Sequence, residues 1–434
     1  MSVYDYAFAG LGSLCAFLAY KTNPLKSGTE APLDFTKFQR NYVFVFLVMM
    51  MSDWLQGPYV YALYEYYGYS PEDIGKLFIA GFGSSMVFGT MVGSFGDSIG
   101  RRKTCILFGF LYIASCVTKH FSNYYILMLG RLLGGVATSL LFSVFEAWMV
   151  SEHFSRNFDP SLLGGTFSLA YFGNSIVAIT AGLVGGFAAD NFGLVAPFDC
   201  SAAMLILGTF VVSTTWNENY GNASKPFVEQ LQKGFSVVIN QKEVAVAGAA
   251  QSMFEGAMYT FVFMWTPAMG SAAKAAGLGE IPHGYIFAIF MVSCMIGSCL
   301  FKYLSSSFDP KMLLTGVIIV AALGLAPAAV GGMGFVPLFA GFCLFEGSVG
   351  FYWPLIGEIR SAVIPEETRS TVMNFFRVPL NLIVVVVLYH IGDLSQVFVF
   401  RFCVCLLCMA TYLATVLHIP AKTKQADVEF EPSG

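Results

Sequence analysis

Long apolar segments recur along the whole chain, and they constrain its fold more than any other feature. Inside a lipid bilayer no water bonds the backbone, so a spanning segment must be helical or belong to a closed barrel. A helix needs roughly 20 apolar residues to cross, and runs of about that length alternate here with short polar stretches. The sequence therefore predicts an all-α polytopic membrane protein.

The composition agrees with a membrane protein and argues against other classes. Charged residues make up 12% of the chain and the mean hydropathy is +0.67, whereas a soluble domain carries roughly 25% charged residues. The net charge of -4 gives no reason to expect a nucleic-acid partner. The ten cysteines are scattered through apolar runs without a histidine cluster, so we expect no metal and no cofactor.

An extra membrane helix is predicted ahead of twelve core helices. Val3 to Tyr20 is apolar, with Asp5 near its start and Lys21 after it, which is the reverse of the charge order in a secretory signal. The twelve core segments are predicted near Asn41–Glu65, Ile74–Phe95, Thr104–Thr118, Asn123–Val150, Ser161–Ala189, Leu194–Thr215, Val244–Gly270, Gly284–Ser305, Lys311–Gly332, Val336–Glu358, Thr368–His390 and Ser395–His418.

A weak internal repeat predicts two pseudo-symmetric bundles of six core helices. Ser52–Gly57 opens the first half and Gln251–Gly256 opens the second, and aligning the glycines places Gln56 opposite Glu255. Such repeats are typical of transporters with a binding site midway across the bilayer between the halves. The predicted organisation is an extra transmembrane helix at 1–21, a cytoplasmic linker at 22–40, an N-terminal bundle at 41–216, a cytoplasmic central loop with an amphipathic helix at 217–243, a C-terminal bundle at 244–418 and a cytoplasmic tail at 419–434.

The distribution of basic residues predicts the orientation. If Gly93–Lys103 is cytoplasmic, most lysines and arginines of the loops share its side. The other side then holds only Lys76, Lys119 and Lys274. Cytoplasmic loops carry this excess of positive charge, so we expect a cytoplasmic C-terminus and an N-terminus outside.

The segment Gly93–Lys103 combines three glycines, Asp97 and three basic residues between two core helices. Glycine permits close helix approach, and Asp97 can accept from an arginine. The pattern resembles the loop signature of the major facilitator superfamily, which implies a gate at the cytoplasmic side; the alternative is a turn that only sets topology. We expect Glu146 to pair with Arg101 or Arg102. The predicted gating residues are Gly93, Asp97, Gly100, Arg101, Arg102 and Glu146.

Arginines inside predicted helices are the leading candidates for a binding site, because a charge in the bilayer costs at least about 2.5–3.5 kcal/mol. A guanidinium presents a planar fork of donors that suits an oxyanion. We expect Arg377, beside Asn374 and ahead of Pro379, to hold an oxyanion near mid-membrane. Arg131, nearer the outer end, would add charge from the other half, while Arg401 is interpreted as structural. The alternative is that each arginine pairs with a glutamate and stabilises helix packing.

Acidic and polar residues complete the candidate set. Asp53, Glu255 and Glu346 either bind a cation or a proton or neutralise the arginines. With Glu146, four carboxylates oppose Arg131 and Arg377, so a dianion would be poorly tolerated unless some acids were protonated. Protons are therefore a candidate coupling ion. The remaining pocket candidates are Gln56, Gln251, Tyr259 and Trp148.

Five blocks in their joint order resemble the molybdate-anion transporter family within that superfamily. They are Asp53–Tyr59, Arg131–Gly135, Leu141–Trp148, Phe261–Pro267 and Asn374–Leu380. The resemblance implies uptake of the tetrahedral molybdate dianion into the cytoplasm, and from that function a multi-pass location in the plasma membrane.

Two alternatives to this function remain open from the residues alone. One is a proton-coupled porter of another small solute, such as a sugar or an organic anion. The other is a membrane receptor of the same fold that transports nothing. No phosphate loop, nucleotide domain or Ser/His/Asp set is visible in a plausible setting, so we expect no enzyme activity and transport driven by gradients.

Overall fold

The computed structural model describes residues 2–22, 32–89, 91–221, 227–365 and 368–418, and these residues are almost entirely helical. The predictions made for residues 23–31 of the linker and for the tail at 419–434 lie outside the described residues. The extra N-terminal helix is present as α1, Val3–Thr22.

The N-terminal half builds its six membrane crossings from nine helices, because three crossings are each divided in two. Short 3-10 turns at Thr118–His120 and Pro160–Leu162 lie between them. The helices are α2 Leu33–Gln56, α3 Tyr59–Tyr66, α4 Pro71–Gly89, α5 Val92–Ile99, α6 Arg101–Val117, α7 Tyr124–Leu141, α8 Val144–Ser155, α9 Leu163–Phe192 and α10 Ala196–Thr215.

The C-terminal half follows the predicted amphipathic helix, which is present as α11, Phe227–Asn240. Ten helical segments of the described chain are long and apolar enough to cross a membrane; α4, α6 and α12 are the remaining long helices of the two bundles. The six helices of this half are α12 Lys242–Ala275, α13 His283–Leu304, α14 Pro310–Val330, α15 Phe335–Val363, α16 Arg369–Tyr389 and α17 Gln396–Val416.

The first core crossing differs from its predicted bounds. It begins at Leu33 rather than at Asn41, so part of the predicted linker is helical. It also divides after Gln56, where Pro58 follows Gly57 and has no backbone N–H to donate into the preceding turn.

The predicted turn Gly93–Lys103, which we refer to as the gating segment, is mostly helical. α5 runs through Ile99 and α6 starts at Arg101, so the chain reverses at Gly100 alone. Gly100 has φ +113, which side chains disfavour, and a Cβ there would lie 2.5 Å from the carboxyl carbon of Glu218. Two independent constraints therefore require glycine at this position.

The two halves meet along two seams where helix backbones touch. Between α9 and α13, a Cβ on Gly284 would lie 2.3 Å from the carbonyl oxygen of Gly182. Between α4 and α16, a Cβ on Gly75 would lie 2.6 Å from the carbonyl oxygen of Leu388. All four residues lie toward the helix ends that are farther from the gating segment.

Aromatic contacts between the halves also lie away from the gating segment. One example is the edge-on pair Tyr61 and Phe263, whose ring centres are 5.2 Å apart. Among the described residues, no ring pair joins the halves beside the gating segment. At that end a cavity of about 520 Å³ is lined by Arg101, Ser143 and Glu146, among others. The described contacts between the halves are thus concentrated at the end farther from the gating segment, and this cavity is lined by the N-terminal half.

Helix α1 packs against the C-terminal half although it precedes the N-terminal half in sequence. The hydroxyl of Tyr285 on α13 donates to the carboxylate of Asp5 over 3.2 Å. Cys15, the buried residue of α1, clusters with Met295 of α13, and Phe172 of α9 lies against the same cluster. The extra helix therefore lies along the seam between α9 and α13.

Candidate functional site

Arg377 on α16 lies where the two halves face each other. Its side chain is exposed, and its Nη1 lies 3.6 Å from the position a Cβ on Gly89 of the other half would take. The Ser139 hydroxyl is 3.4 Å from that same position. No carboxylate oxygen of the described residues lies within 4.0 Å of the Arg377 guanidinium. The expected alternative of a tight glutamate pair is therefore not seen for this arginine.

The backbone of α16 is opened next to Arg377. Pro379 lies inside the helix and provides no N–H. The side-chain amide of Asn381 donates to the carbonyl oxygen of Arg377 over 2.7 Å. Asn374, half-buried, lies one turn ahead on the same helix. The sequence context of Arg377 thus supplies polar groups at mid-helix, where an apolar stretch would supply none.

Three predicted residues lie one turn apart on α12, and two of them, Glu255 and Tyr259, are within electrostatic reach of Arg377. Glu255 and Gln251 are 4% and 3% exposed, and the Oε1 atom of each has no hydrogen-bond partner. Glu255 lies within electrostatic reach of Arg377. Tyr259 is half-buried, lies near both Glu255 and Arg377, and packs edge-on against Phe82 of the N-terminal half at 5.5 Å.

Asp53 contributes a carboxylate from the opposite half. It accepts a hydrogen bond from the Tyr112 hydroxyl over 2.5 Å, and its charge reaches Tyr259 across the interface. Arg377, Glu255 and Tyr259 therefore lie near one another, with Gln251 one turn from Glu255 and Asp53 near Tyr259.

Arg131 does not join this region. Its Nε donates to the carbonyl oxygen of Leu77 over 3.2 Å, and its guanidinium lies 4.6 Å from the centre of the Phe78 ring. A Cβ on Gly81 would lie 2.5 Å from the Nη2 of Arg131, so the absence of a side chain at Gly81 leaves room for the guanidinium. Since the Arg131 guanidinium contacts α4 at Gly81 and that of Arg377 contacts it at Gly89, the two guanidiniums lie roughly 12 Å apart along that helix.

Three further predicted residues lie in helix interfaces. Gln56 donates to the Ser201 hydroxyl over 3.0 Å inside the N-terminal half. Trp148 stacks on Trp216 with ring centres 3.6 Å apart. Glu346 is 8% exposed, and its electrostatic neighbours are cysteines at the contact of α13 and α15, such as Cys294. Their positions give each a packing role in this conformation.

At the gating segment, Asp97 accepts from Arg101 with a nitrogen–oxygen distance of 2.7 Å, as expected. The pairing expected for Glu146 is absent: the Tyr171 hydroxyl lies 3.5 Å from its carboxylate. Arg102 instead donates its side chain to the carbonyl of Ser213. Gly93 and Gly100 lie in α5 and at the turn after it. Glu146 and Arg101 still line the same cavity, so a pair could form if that end closed.

Sequence reasoning missed two residues of the site. It ended the tenth core segment at Glu358 and placed Arg360 in a loop, but α15 continues to Val363. Arg360 is half-buried and lies within electrostatic reach of Glu255. Tyr352, one turn before Ile356 on the same helix, is 1% exposed and its hydroxyl has no hydrogen-bond partner. The helical spacing of Tyr352, Ile356 and Arg360 by four was the available signal.

In the part of the chain that the structure describes, no group of histidines, cysteines and acids could hold a metal ion. The chemistry available is recognition of an anion by guanidinium groups next to carboxylates.

Comparison with known proteins finds relatives that align over most of this chain or nearly all of it. A family model described as sugar transporters with 12 transmembrane segments matches residues 3–349. A molybdate-anion transporter of Xenopus tropicalis is 31% identical and aligns over 99% of this chain and 98% of its own. Those of Xenopus laevis and Takifugu rubripes are 34% and 30% identical, over 80% and 87% of this chain and 78% and 85% of their own.

Solved structures share the fold at low sequence identity. A D-xylose–proton symporter superposes with a TM-score of 0.69 at 12% identity, covering 87% of this chain and 98% of its own. The nucleoside transporter NupG superposes with a TM-score of 0.66 at 13% identity, covering 88% and 98%. These likenesses confirm the two-bundle architecture. Since the relatives at 30–34% identity are transporters, the expectation that the chain is not an enzyme is also confirmed.

Proposed function

This chain belongs to the molybdate-anion transporter family of the major facilitator superfamily, and we propose that it carries the molybdate dianion into the cytoplasm. The observation that supports this substrate most directly is Arg377. Its guanidinium is unpaired by any described carboxylate and lies between the halves. An arginine fork matches a tetrahedral oxyanion and offers little to a neutral sugar.

Transport would proceed by alternating access. The halves touch at the ends farther from the gating segment, and a cavity lined by the N-terminal half lies beside that segment. With the gating segment on the cytoplasmic side, as its basic residues favour, this conformation faces inward. Rocking of the halves would open the outer end and bring Glu146 toward Arg101 or Arg102. The plasma membrane and a cytoplasmic C-terminus are part of this proposal.

Uptake of molybdate into cells that lack their own system tests the substrate. Cells producing the chain should accumulate molybdate above vector controls, and tungstate and sulfate should compete because they are tetrahedral dianions. Accumulation of a sugar with no molybdate uptake would instead favour the porter of another solute, and no uptake of any tested solute would favour a receptor.

Coupling to protons predicts that molybdate uptake falls as external pH rises from acidic to neutral. Glu255 lies within electrostatic reach of Arg377, and Asp53 lies within reach of Tyr259. A dianion entering between ionised carboxylates would be repelled. Protons that neutralise these acids would favour binding and travel with the substrate. Initial uptake rates should be measured across pH values at which molybdate stays a dianion, with a protonophore as the control. A flat profile would remove protons as the coupling ion.

A further inference from the structure

We propose that Arg360 and Arg377 together form a dianion site, in which two guanidinium groups of the C-terminal half bind one tetrahedral oxyanion. The proposal rests on the transport function proposed above and identifies the second cation of its site. Arg360 lies on α15 and Arg377 on α16, and both helices pack against α12. Glu255, on α12, lies within electrostatic reach of both.

The surroundings of Arg360 place it at the interface between the halves. Its Nη2 lies 3.9 Å from the position of a Cβ on Gly357, so the guanidinium lies along its own helix. Its electrostatic neighbours are Glu255 and Tyr352 from the same half and Tyr171 from α9 of the other half. Arg360 lies in the last turn of α15, and a guanidinium within electrostatic reach of both halves is placed to contact a substrate between them near that helix end.

Neither guanidinium is neutralised by a direct ion pair. Within the described ranges, no carboxylate oxygen lies within 4.0 Å of Arg360 or Arg377, whereas Arg101 and Arg156 each have a carboxylate at 2.7 Å. Glu255 lies within electrostatic reach of both arginines. Two guanidiniums that no described carboxylate contacts keep their donor forks available, and an anion between the halves could accept from both.

Unsatisfied polar atoms beside the pair provide a second, independent observation. Gln251 Oε1, Glu255 Oε1 and Tyr352 Oη are all buried and have no hydrogen-bond partner. Such atoms are rare in folded proteins, because each costs about 1–3 kcal/mol when left unpaired. Three of them in one neighbourhood mark a place that a ligand or solvent fills during function.

The number of available cations distinguishes a dianion from a monoanion or a neutral solute. A tetrahedral oxyanion has four oxygens and can accept from two planar forks at once. Arg131 is not available for this role, because its guanidinium is held by the Leu77 carbonyl and the Phe78 ring. The second positive charge therefore comes from Arg360 in the same half rather than from one arginine in each half.

Binding to the purified full-length protein in lipid nanodiscs tests the pair. Radiolabelled molybdate would be displaced by unlabelled molybdate or by perrhenate, a tetrahedral monoanion of similar shape. We expect Arg360→Gln to weaken molybdate binding by about 10- to 100-fold. Perrhenate binding, measured with its own label, should change by less than about threefold, because one guanidinium is enough for one charge. Arg360→Lys keeps the charge without the fork, and we expect it to lie between the wild type and Arg360→Gln.

A matched control is Arg401→Gln, which removes an exposed arginine whose Nε donates to the Ala329 carbonyl oxygen over 2.9 Å. The molybdate affinity of this variant should equal that of the wild type.

Unchanged molybdate affinity in Arg360→Gln would overturn the pair while leaving the transport proposal intact. Equal losses for both anions would also overturn it, since they would show a general structural effect. If the wild type binds no molybdate, the transport proposal fails first. If Arg360→Gln does not fold, molybdate and perrhenate binding are compared in Arg360→Lys instead, and a selective loss of molybdate binding would support the pair.

Discussion

Replacing Arg377 by Ala should abolish measurable molybdate uptake while leaving the protein in the membrane. Removing one partner of a desolvated charged contact costs about 2–5 kcal/mol, or between roughly 30-fold and several thousand-fold in affinity. The side chain is exposed between the halves and has no carboxylate within ion-pair distance among the described residues, so its loss should not unfold a packed core. Initial uptake rates, normalised to the amount of protein in the membrane, measure the effect.

Arg401→Ala is the matched control for this experiment, because it removes an arginine that lies outside the site and should leave uptake unchanged. Arg377→Lys keeps the charge but not the planar fork, and we expect it to retain only part of the activity. Uptake by Arg377→Ala at the wild-type rate would remove Arg377 from the site.

The second large effect is expected at the seam between the halves, where Gly284→Val should hold the outer end open and stop transport. A Cβ there would lie 2.3 Å from the Gly182 carbonyl oxygen and 2.5 Å from the Tyr59 hydroxyl. Overpacking costs about 1–3 kcal/mol, which would shift the balance of the two states roughly 5- to 150-fold. Since this seam joins the halves and does not lie within either, each half should still fold.

Labelling from outside with a membrane-impermeant thiol reagent measures this shift. Ala288, 0% exposed in the seam, would be changed to cysteine with and without Gly284→Val, and the label should react faster in the double variant. Gly350→Val is the comparison within one half: a Cβ there would lie 1.8 Å from the Cys294 carbonyl oxygen. That variant should lower the yield of folded protein. If Ala288→Cys stays unlabelled beside Gly284→Val, this contact does not hold the outer end closed.

The membrane architecture could be predicted from the sequence because it depends on local properties. Segment length and apolar content are properties of each run alone, and they placed the extra helix α1 and the amphipathic helix α11. The helix ends were less predictable. The polar residues Glu358 and Arg360 looked like the start of a loop, yet tertiary packing continues α15 to Val363.

The site was harder to predict because it depends on contacts between distant segments. Arg131 and Arg377 look alike in sequence, but Gly81 and Phe78 on another helix enclose the first. The Glu146 partner depends on which end of the bundle is closed, and a single sequence does not fix that. Glu255, Gln251, Tyr259 and Asp53 were named from their polarity within apolar helices, and the structure places them near one another.

The position of α1 has a consequence for biosynthesis. Asp5 and its partner Tyr285 are separated by 280 residues, and ribosomes add about 5–20 residues per second, so α1 is made roughly 15–60 s before the helix it packs against. Helix α1 therefore leaves the ribosome well before the partner helix that it packs against. Until that partner is made, the membrane or an insertion factor must shelter α1.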